Sequence, residues 1–134
     1  MKKAVLFFCL ILLFPALASA DESKFSKEFY LCLEAAQGMN GANLNCIYDE
    51  TEKQDVRLNQ VYNRLITVLS EQRIDELREV QRAWIKYRDL TSQYLSRPDG
   101  GAIDLVISAS WFLHRTSDQA DFLEGQLNIL SETP

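Results

Sequence analysis

Residues 55–89, with the sequence DVRLNQVYNRLITVLSEQRIDELREVQRAWIKYRD, decide the fold of this chain. The stretch contains two blocks, 58–65 and 77–89, in which apolar residues recur every three or four positions. That spacing places the apolar side chains on one face of an α-helix. The stretch therefore predicts two amphipathic helices that form the scaffold of the molecule. The expected break, 70–72, contains neither glycine nor proline, so a continuous or kinked helix is the alternative.

Further helical patterns flank this central pair on both sides. A turn at 38–41, with two glycines and an asparagine, and a turn at 97–101, with proline and paired glycines, separate the patterns. No hairpin signal or repeat interrupts them, so we predict an all-α fold, a compact bundle of about four helices with one disulfide. The predicted helices are 21–37, a second from 43–45 to about 69, a third from about 73 to 96, and a fourth from about 102 to 130.

The first twenty residues are typical of a secretory signal peptide. Lys2 and Lys3 precede an unbroken apolar run, and Ala18-Ser19-Ala20 supplies the small residues of a cleavage site. An uncleaved membrane anchor is the alternative, but the apolar run is short for a span of about 20 residues. We expect residues 1–20 to be removed and residues 21–134 to form one periplasmic or secreted domain without a membrane anchor.

The charge of the chain favours a cationic partner over nucleic acid or an anionic membrane. Lys and Arg number 14 against 19 Asp and Glu, which gives a formal net charge of −5. Loss of Lys2 and Lys3 with the signal peptide brings the charge of the mature chain to about −7. Acidity that serves solubility alone is the alternative interpretation.

Cys32 and Cys46 are expected to form a disulfide. Cys9 leaves with the signal peptide, and the two remaining cysteines then lie in an oxidising compartment. Their bridge would join the first helix to the start of the second and would add about 3 kcal/mol in the chain-entropy model. A metal site is disfavoured because the only histidine, His114, lies far away in sequence. No cofactor or metal is expected.

The sequence contains no recognisable catalytic set. His114 has no nucleophile or metal ligand beside it at a known spacing. Gly100 and Gly101 are interpreted as a helix stop and not as a phosphate-binding loop. We therefore predict that the protein is not an enzyme.

Polar residues interrupt the apolar stripes of the two central helices. Gln81 and Arg88 share the core-facing side of the third helix, and Asp55 and Asn59 share one side of the second. An arginine on such a stripe needs partners, because an unpaired buried charge is costly. We predict that Arg88 meets Asp55, Asn59 or a helix-end carbonyl, so that these four residues form a structural polar clamp. The alternative is that Arg88 or Asp89 faces a ligand.

Candidate partner-binding residues lie in two parts of the sequence. Asp49, Glu50 and Glu52 are expected on the solvent side of the first turns of the second helix. Trp111 and Phe112 belong to the first half of the fourth helix, which is apolar nearly all round. Apolar surface in excess of one core-facing stripe can mark a partner site.

A longer pattern runs from Asp55 to Thr116. It consists of Asp55-x-x-Leu58-Asn59-x-x-Tyr62-x-x-Leu65, Leu77-Arg78-x-x-Gln81-Arg82-Ala83-Trp84-Ile85-x-Tyr87-Arg88-Asp89, Gly100-Gly101 and Thr116. This pattern resembles the LprI-like lysozyme-inhibitor family (N-terminal domain) of small secreted bacterial proteins. The resemblance implies a protein that binds a lysozyme or a related wall-cleaving enzyme and inhibits it. The alternative is a cell-envelope structural or assembly factor that self-associates through the last helix.

The chain departs from the family pattern at two cysteine positions. Family members usually have a cysteine three residues after the Arg-Asp pair and another in the last helix, whereas Cys32 and Cys46 match the family's first pair. Ser92 and Trp111 are assigned to the two missing positions. Packing around Trp111 is expected to replace the bridge that these cysteines would form. The arginine that the family places after its late threonine corresponds to Gln119.

Overall fold

Four α-helices make up the part of the chain that the computed structural model describes, residues 24–132. No strand occurs among these residues, which confirms the predicted all-α bundle. The predicted signal peptide lies outside them, and none of the helices between residues 24 and 132 is long and apolar enough to cross a membrane. The helices are α1 Lys27–Ala36, α2 Asn40–Val68, α3 Glu71–Leu95 and α4 Gly101–Glu132.

The turn between α1 and α2 is shorter than predicted. α1 ends at Gln37, which has a left-handed φ of 48°, and Gly38 follows with a φ of 78°. Glycine adopts this conformation without the steric penalty of other residues. α2 then begins at Asn40 and not at 43–45, because the carbonyl oxygen of Met39 already accepts a hydrogen bond from the backbone N–H of Asn43 at 2.9 Å.

α2 and α3 are separate helices, as the break at 70–72 predicted. Leu69 and Ser70 both have extended backbones, with ψ angles of 153° and 157°. The carbonyl oxygen of Ser70 then accepts a hydrogen bond from the backbone N–H of Ile74 at 2.9 Å and so starts α3. Two extended residues are therefore enough to turn the chain without glycine or proline.

The predicted disulfide is present. Cys32 in α1 and Cys46 in α2 are bonded, with their Cα atoms 5.7 Å apart. Cys46 is buried, and Phe29 and Ile47 lie in the same apolar cluster. The bridge therefore fastens α1 along the first half of α2.

α2 and α4 form the main helix pair, with α1 packed on α2 and α3 packed on α4. The expectation that α2 and α3 form the scaffold is wrong. α4 covers the apolar stripe of α2, whereas α3 has no buried residue and contributes only the partly buried Leu77 and Trp84 to the core. One apolar cluster consists of Phe25, Phe29, Ala36, Cys46, Ile47, Ala109 and Leu113, and the other of Leu58, Val61, Leu65, Ala120, Leu123 and Leu127.

A buried polar layer separates the two apolar clusters. α2 contributes Glu50 and Gln54 to this layer, and α4 contributes Thr116 and Ser117, all of them buried. The hydroxyl of Thr116 donates to the carbonyl oxygen of Phe112 one turn earlier at 2.9 Å. Buried polar groups need such partners, because burial without a hydrogen bond is unfavourable.

Arg57 joins α2 to α4 beside this polar layer. Its Nε donates to Oε1 of Glu124 at 2.8 Å, and a terminal nitrogen donates to Oδ1 of Asp121 at 2.6 Å. The hydrogen bond with Glu124 is the main cause that raises the pKa of Arg57 above its usual range, and it also lowers the pKa of Glu124. This paired arrangement helps to fix the register of α2 against α4.

α3 and α4 run antiparallel and meet at several points along their length. Ser92 lies opposite Ser108, and Trp111 packs on Tyr87, so positions 108 and 111 both join α4 to α3. They lie on the same side of α4, about 60° apart, because three residues turn a helix by about 300°. The assignment of Ser92 and Trp111 to the two missing cysteine positions stays a prediction. The contacts are Tyr87 with Trp111 at 5.7 Å between ring centroids, Ser92 with Ser108 at 2.9 Å between hydroxyl oxygens, and Arg97 with Asp104 through an ion pair.

We predict that replacement of Gly100 by alanine destabilises the protein by about 2 kcal/mol through overpacking. A Cβ at this position would lie 1.6 Å from Oδ2 of Asp104, a side chain that is 6% exposed. Arg97 holds that carboxylate in place. The matched control is Gly125→Ala in α4, where a Cβ meets no atom within 4 Å. Urea unfolding should show that the control raises the free energy of unfolding by about 1 kcal/mol. If both variants lowered the free energy of unfolding equally, the steric argument would be contradicted.

We also predict that the double variant Ser92→Cys/Ser108→Cys forms a second disulfide. The two hydroxyl oxygens are 2.9 Å apart, and the carbonyl of Ser92 also accepts a hydrogen bond from the Ser108 hydroxyl at 2.8 Å. The bridge should raise the free energy of unfolding by about 3 kcal/mol, as expected for a loop of this size. Thiol titration and unfolding under oxidising and reducing conditions measure both effects. The pair Ser92→Cys/Trp111→Cys is the control and should keep its free thiols.

Candidate functional site

A buried carboxylate of α2 fixes the start of α1. Glu50 is 1% exposed. Its Oε1 accepts hydrogen bonds from the Ser26 backbone N–H at 3.1 Å and from Gln54 Nε2 at 2.8 Å, and its Oε2 accepts from the Ser26 hydroxyl at 2.5 Å. The Ser26 hydroxyl also caps α1 by accepting from the Phe29 backbone N–H at 3.2 Å. Lys53 Nζ lies 3.8 Å from Oε2 of Glu50 and partly balances its charge.

Glu50 therefore does not lie on the solvent side of α2, and its assignment as a solvent-facing partner contact is wrong. Asp49 and Glu52 are exposed, as predicted. The sequence contained a signal for this difference, because Ile47, Glu50 and Gln54 are spaced by three and four residues and share the buried face. An acidic residue on an apolar stripe needs partners in the core, and the sequence could not show that Ser26 would provide them.

An acidic cleft of about 690 Å³ opens between α1 and α2 beside the disulfide. Its apolar wall includes Phe29 and Val56, and its exposed acids are Glu28, Asp49 and Glu52. The backbone N–H of Glu28 itself and then the positive charge of Lys53 lower the pKa of the Glu28 carboxyl. The lining residues are Glu28, Phe29, Cys32, Cys46, Asp49, Glu50, Glu52, Lys53 and Val56.

The composition of this cleft suits a cationic side chain of a partner. Among its lining residues, four carboxyl groups stand against the single ammonium group of Lys53. A Lys or Arg side chain could place its apolar stem on the wall and its charge near the exposed acids. The position of α1 is fixed by the disulfide and by Glu50, so the cleft is formed before any partner binds.

A second groove, of about 400 Å³, separates α2 from α3 and contains most of the polar residues of the long sequence pattern. The four predicted clamp residues all line it. Within α2, Asn59 Nδ2 donates to Oδ2 of Asp55 at 3.0 Å, and Gln81 Nε2 is buried without a hydrogen-bond partner. The role of these residues in holding α2 and α3 in register stays a prediction. The lining residues are Asp55, Leu58, Asn59, Tyr62, Arg78, Gln81, Arg82, Ile85 and Arg88.

Arg88 connects α3 to α4 and not to the α2 residues that the sequence analysis favoured. Its Nε donates to Oδ1 of Asp89 at 2.9 Å, and Nη1 donates to the Thr116 hydroxyl at 3.4 Å. The guanidinium carbon lies 4.7 Å from the ring centroid of Trp84 and 4.0 Å from that of Phe112. The two rings and the carboxylate stabilise a cation whose side chain is only 12% exposed.

The predicted partner-binding residues fall on separate surfaces. Phe112 is half-buried beneath the Arg88 guanidinium. Trp111 packs edge-to-face on Tyr87 of α3. Asp49 and Glu52, in contrast, border the cleft between α1 and α2. The structure therefore brings the acids together and places the aromatic residues against α3.

His114 contributes to the attachment of the segment before α1. Its ring packs edge-to-face on Phe25, with 4.9 Å between ring centroids. Burial is the main cause that lowers the pKa of His114, and the positive charge of Lys24 adds to it. Between residues 24 and 132, no three or more His, Cys, Asp or Glu residues form a group that could hold a metal ion.

We predict that Glu50→Ala destabilises the protein by about 3 kcal/mol, because it leaves the Ser26 backbone N–H and the Gln54 amide without their buried acceptor. The matched control is Glu52→Ala, an exposed acid two positions away. It should change the free energy of unfolding by no more than about 0.5 kcal/mol. Urea unfolding with the disulfide intact measures both, and a loss of the same size in the two variants would contradict the role assigned to Glu50.

Comparison with known proteins gives one family. The family model described as "Lysozyme inhibitor LprI" matches residues 32–123. The matched region includes Cys32, Cys46, most of the acidic cleft, the groove between α2 and α3, and the helix contacts of Arg88. Searches of curated proteins and of solved structures gave no match.

Proposed function

The chain belongs to the LprI lysozyme-inhibitor family, since the family match covers more than half of it, and we propose that it is a periplasmic or secreted protein that binds and inhibits a lysozyme or a related wall-cleaving enzyme. Family membership supports a protein-binding role of this kind. The narrower proposal adds a compartment, a class of target and a contact surface.

The observation that carries the contact surface is the acidic cleft between α1 and α2. Many lysozymes are strongly cationic, whereas this chain has a formal net charge of −5. Opposite charges accelerate association and favour one orientation of the two proteins. Glu28, Asp49 and Glu52 concentrate exposed negative charge at one place, so we assign the cleft as the surface that meets basic side chains of the target.

The rigidity of the cleft also suits an inhibitor. An inhibitor of this kind acts by occupying the target and performs no chemistry itself. Binding is weakened whenever loops or side chains must become ordered in the complex. The Cys32–Cys46 bridge and the hydrogen bonds of Glu50 hold α1 in place, which reduces that loss.

The predicted signal segment and the disulfide support the proposed compartment. Disulfides persist in the bacterial periplasm and outside the cell, where thiols are oxidised. Wall-cleaving enzymes act in the same space, so the inhibitor and its target would meet there.

We expect the purified protein to slow the clearing of a bacterial cell suspension by a cationic lysozyme, with an effect that weakens as salt is added. The double variant Asp49→Lys/Glu52→Lys should weaken inhibition by about tenfold or more, because it reverses the charge at the cleft. Glu34→Lys is the matched control, since Glu34 is exposed on α1 but does not line the cleft. Inhibition constants from turbidity assays, with circular dichroism as a test of folding, separate the two variants.

Two different results would contradict two different parts of the proposal. Absence of protection at a large molar excess and low salt, across several lysozyme types, would reject the inhibitor function. Inhibition that is equally strong in the cleft variant and in Glu34→Lys would keep the function and reject the cleft as the contact surface.

A further inference from the structure

α3 is less covered than the other helices described between residues 24 and 132. It is 25 residues long and contains no buried residue. Helices in globular proteins are stabilised mainly by the packing of an apolar face. The core-facing side of α3 carries Leu77 and Trp84, yet a second row of large side chains, Tyr87, Leu90 and Tyr94, lies exposed beside it. No other helix between residues 24 and 132 buries this second row of side chains.

The exposed side chains of α3 continue onto α4 and form one surface, which we call the outer α3–α4 face. Residues 87, 90 and 94 share one side of α3, and residues 103, 107 and 111 share one side of α4, because they are spaced by three or four positions. The packing of Tyr87 on Trp111 joins the two rows. The exposed fractions are Tyr87 57%, Leu90 55%, Tyr94 81%, Ile103 53% and Ile107 47%, and Trp111 is half-buried.

The outer α3–α4 face carries no charge among the positions that form it. Ala83 and Thr91 fill the same side of α3, and Ser110 lies between the apolar residues of α4. Charged residues at the edge of the face include two ion pairs, Arg97 with Asp104 and Arg115 with Asp118. The guanidinium carbon of Arg115 lies 5.9 Å from the ring centroid of Trp111. An uncharged apolar surface gives a cationic target nothing to recognise, in contrast to the acidic cleft.

The size of the face agrees with a protein interface. A large side chain has roughly 200 Å² of surface. Multiplied by the exposed fractions of the five side chains, this gives roughly 600 Å² of mostly apolar exposed surface. That is at the upper end of what monomeric proteins leave exposed in one patch. It also approaches the roughly 800 Å² that each partner contributes to a standard interface, and Trp111 and the edge of the face would add to it.

We propose that the outer α3–α4 face is the interface of a homodimer, in which two copies pack their α3 and α4 helices against each other about a twofold axis. Two copies of an acidic protein can meet here without repulsion, because the face itself is uncharged. A twofold axis brings the same patch of both copies together. The antiparallel helices α3 and α4 of one copy would then pack on α3 and α4 of the other copy in a four-helix arrangement, which would bury the outer α3–α4 face of both.

This interface goes beyond the proposed inhibitor function and does not depend on it. The outer α3–α4 face and the acidic cleft share no residue, so dimerisation would leave the cleft of each copy open. A dimer would carry two such clefts, which would allow it to bind two target molecules.

The test is sedimentation velocity of the purified protein over a range of micromolar concentrations, with Tyr94→Glu as the interface variant. Tyr94 is 81% exposed, so its replacement should leave helix content and thermal stability unchanged. The wild type should sediment with twice the mass of one chain, and Tyr94→Glu should weaken the dimer by about tenfold or more. Val68→Glu is the matched control, because Val68 is 57% exposed in α2 and lies outside the face.

Each alternative outcome overturns the proposal. If the wild type stayed monomeric throughout the concentration range, two copies of the chain would not bind each other through this face. A dimer that Tyr94→Glu leaves intact and Val68→Glu disrupts would place the interface on the groove that Val68 lines together with Leu77 of α3 and Phe122 of α4. A monomer that cross-links to a lysozyme through position 94 would assign the face to a foreign protein.

Discussion

The buried carboxylate of Glu50 is the constraint on which the N-terminal half of the structure depends. A carboxylate that is 1% exposed is tolerated only when hydrogen bonds replace its lost hydration. Three donors do so, two from Ser26 and one from Gln54. Because Ser26 is also the N-cap of α1, the same residue that satisfies the carboxylate determines where α1 begins. The disulfide then fastens the middle of α1, and the acidic cleft is the space left between two attached helices.

The pairing of α2 with α4 explains why the molecule has an acidic side and an apolar side. α4 covers both apolar clusters of α2, so α3 is left to pack on α4 with one side exposed. The exposed acids Asp49 and Glu52 of α2 border the cleft with α1. The surface proposed to bind a cationic partner and the surface proposed to bind a second copy therefore both follow from one packing arrangement.

The long sequence pattern of the family has a physical explanation in the contact between α3 and α4. Arg88 of the pattern donates a hydrogen bond to Thr116, the late threonine of the same pattern, and stacks its guanidinium on Trp84. Phe112 closes the other side of the guanidinium. These residues hold α3 on a helix that it otherwise touches over a small area. The pattern thus identifies how the fold is built, whereas the acids proposed to bind a target lie outside it.

Helical periodicity, turn residues and cysteine usage are local or compositional properties, so they predicted the number and type of the helices and the disulfide. They favoured a break near residue 70 but left a continuous helix open. The sequence did not determine which helices pair, so α2 and α3 were expected to form the scaffold that α2 and α4 form. From the sequence, Glu50 was also expected in solvent, and partners in α2 were favoured for Arg88. Each of these depends on which side of a helix a distant helix covers. Only the tertiary structure decides that, because two amphipathic stripes can pair with any complementary stripe until the whole chain is packed.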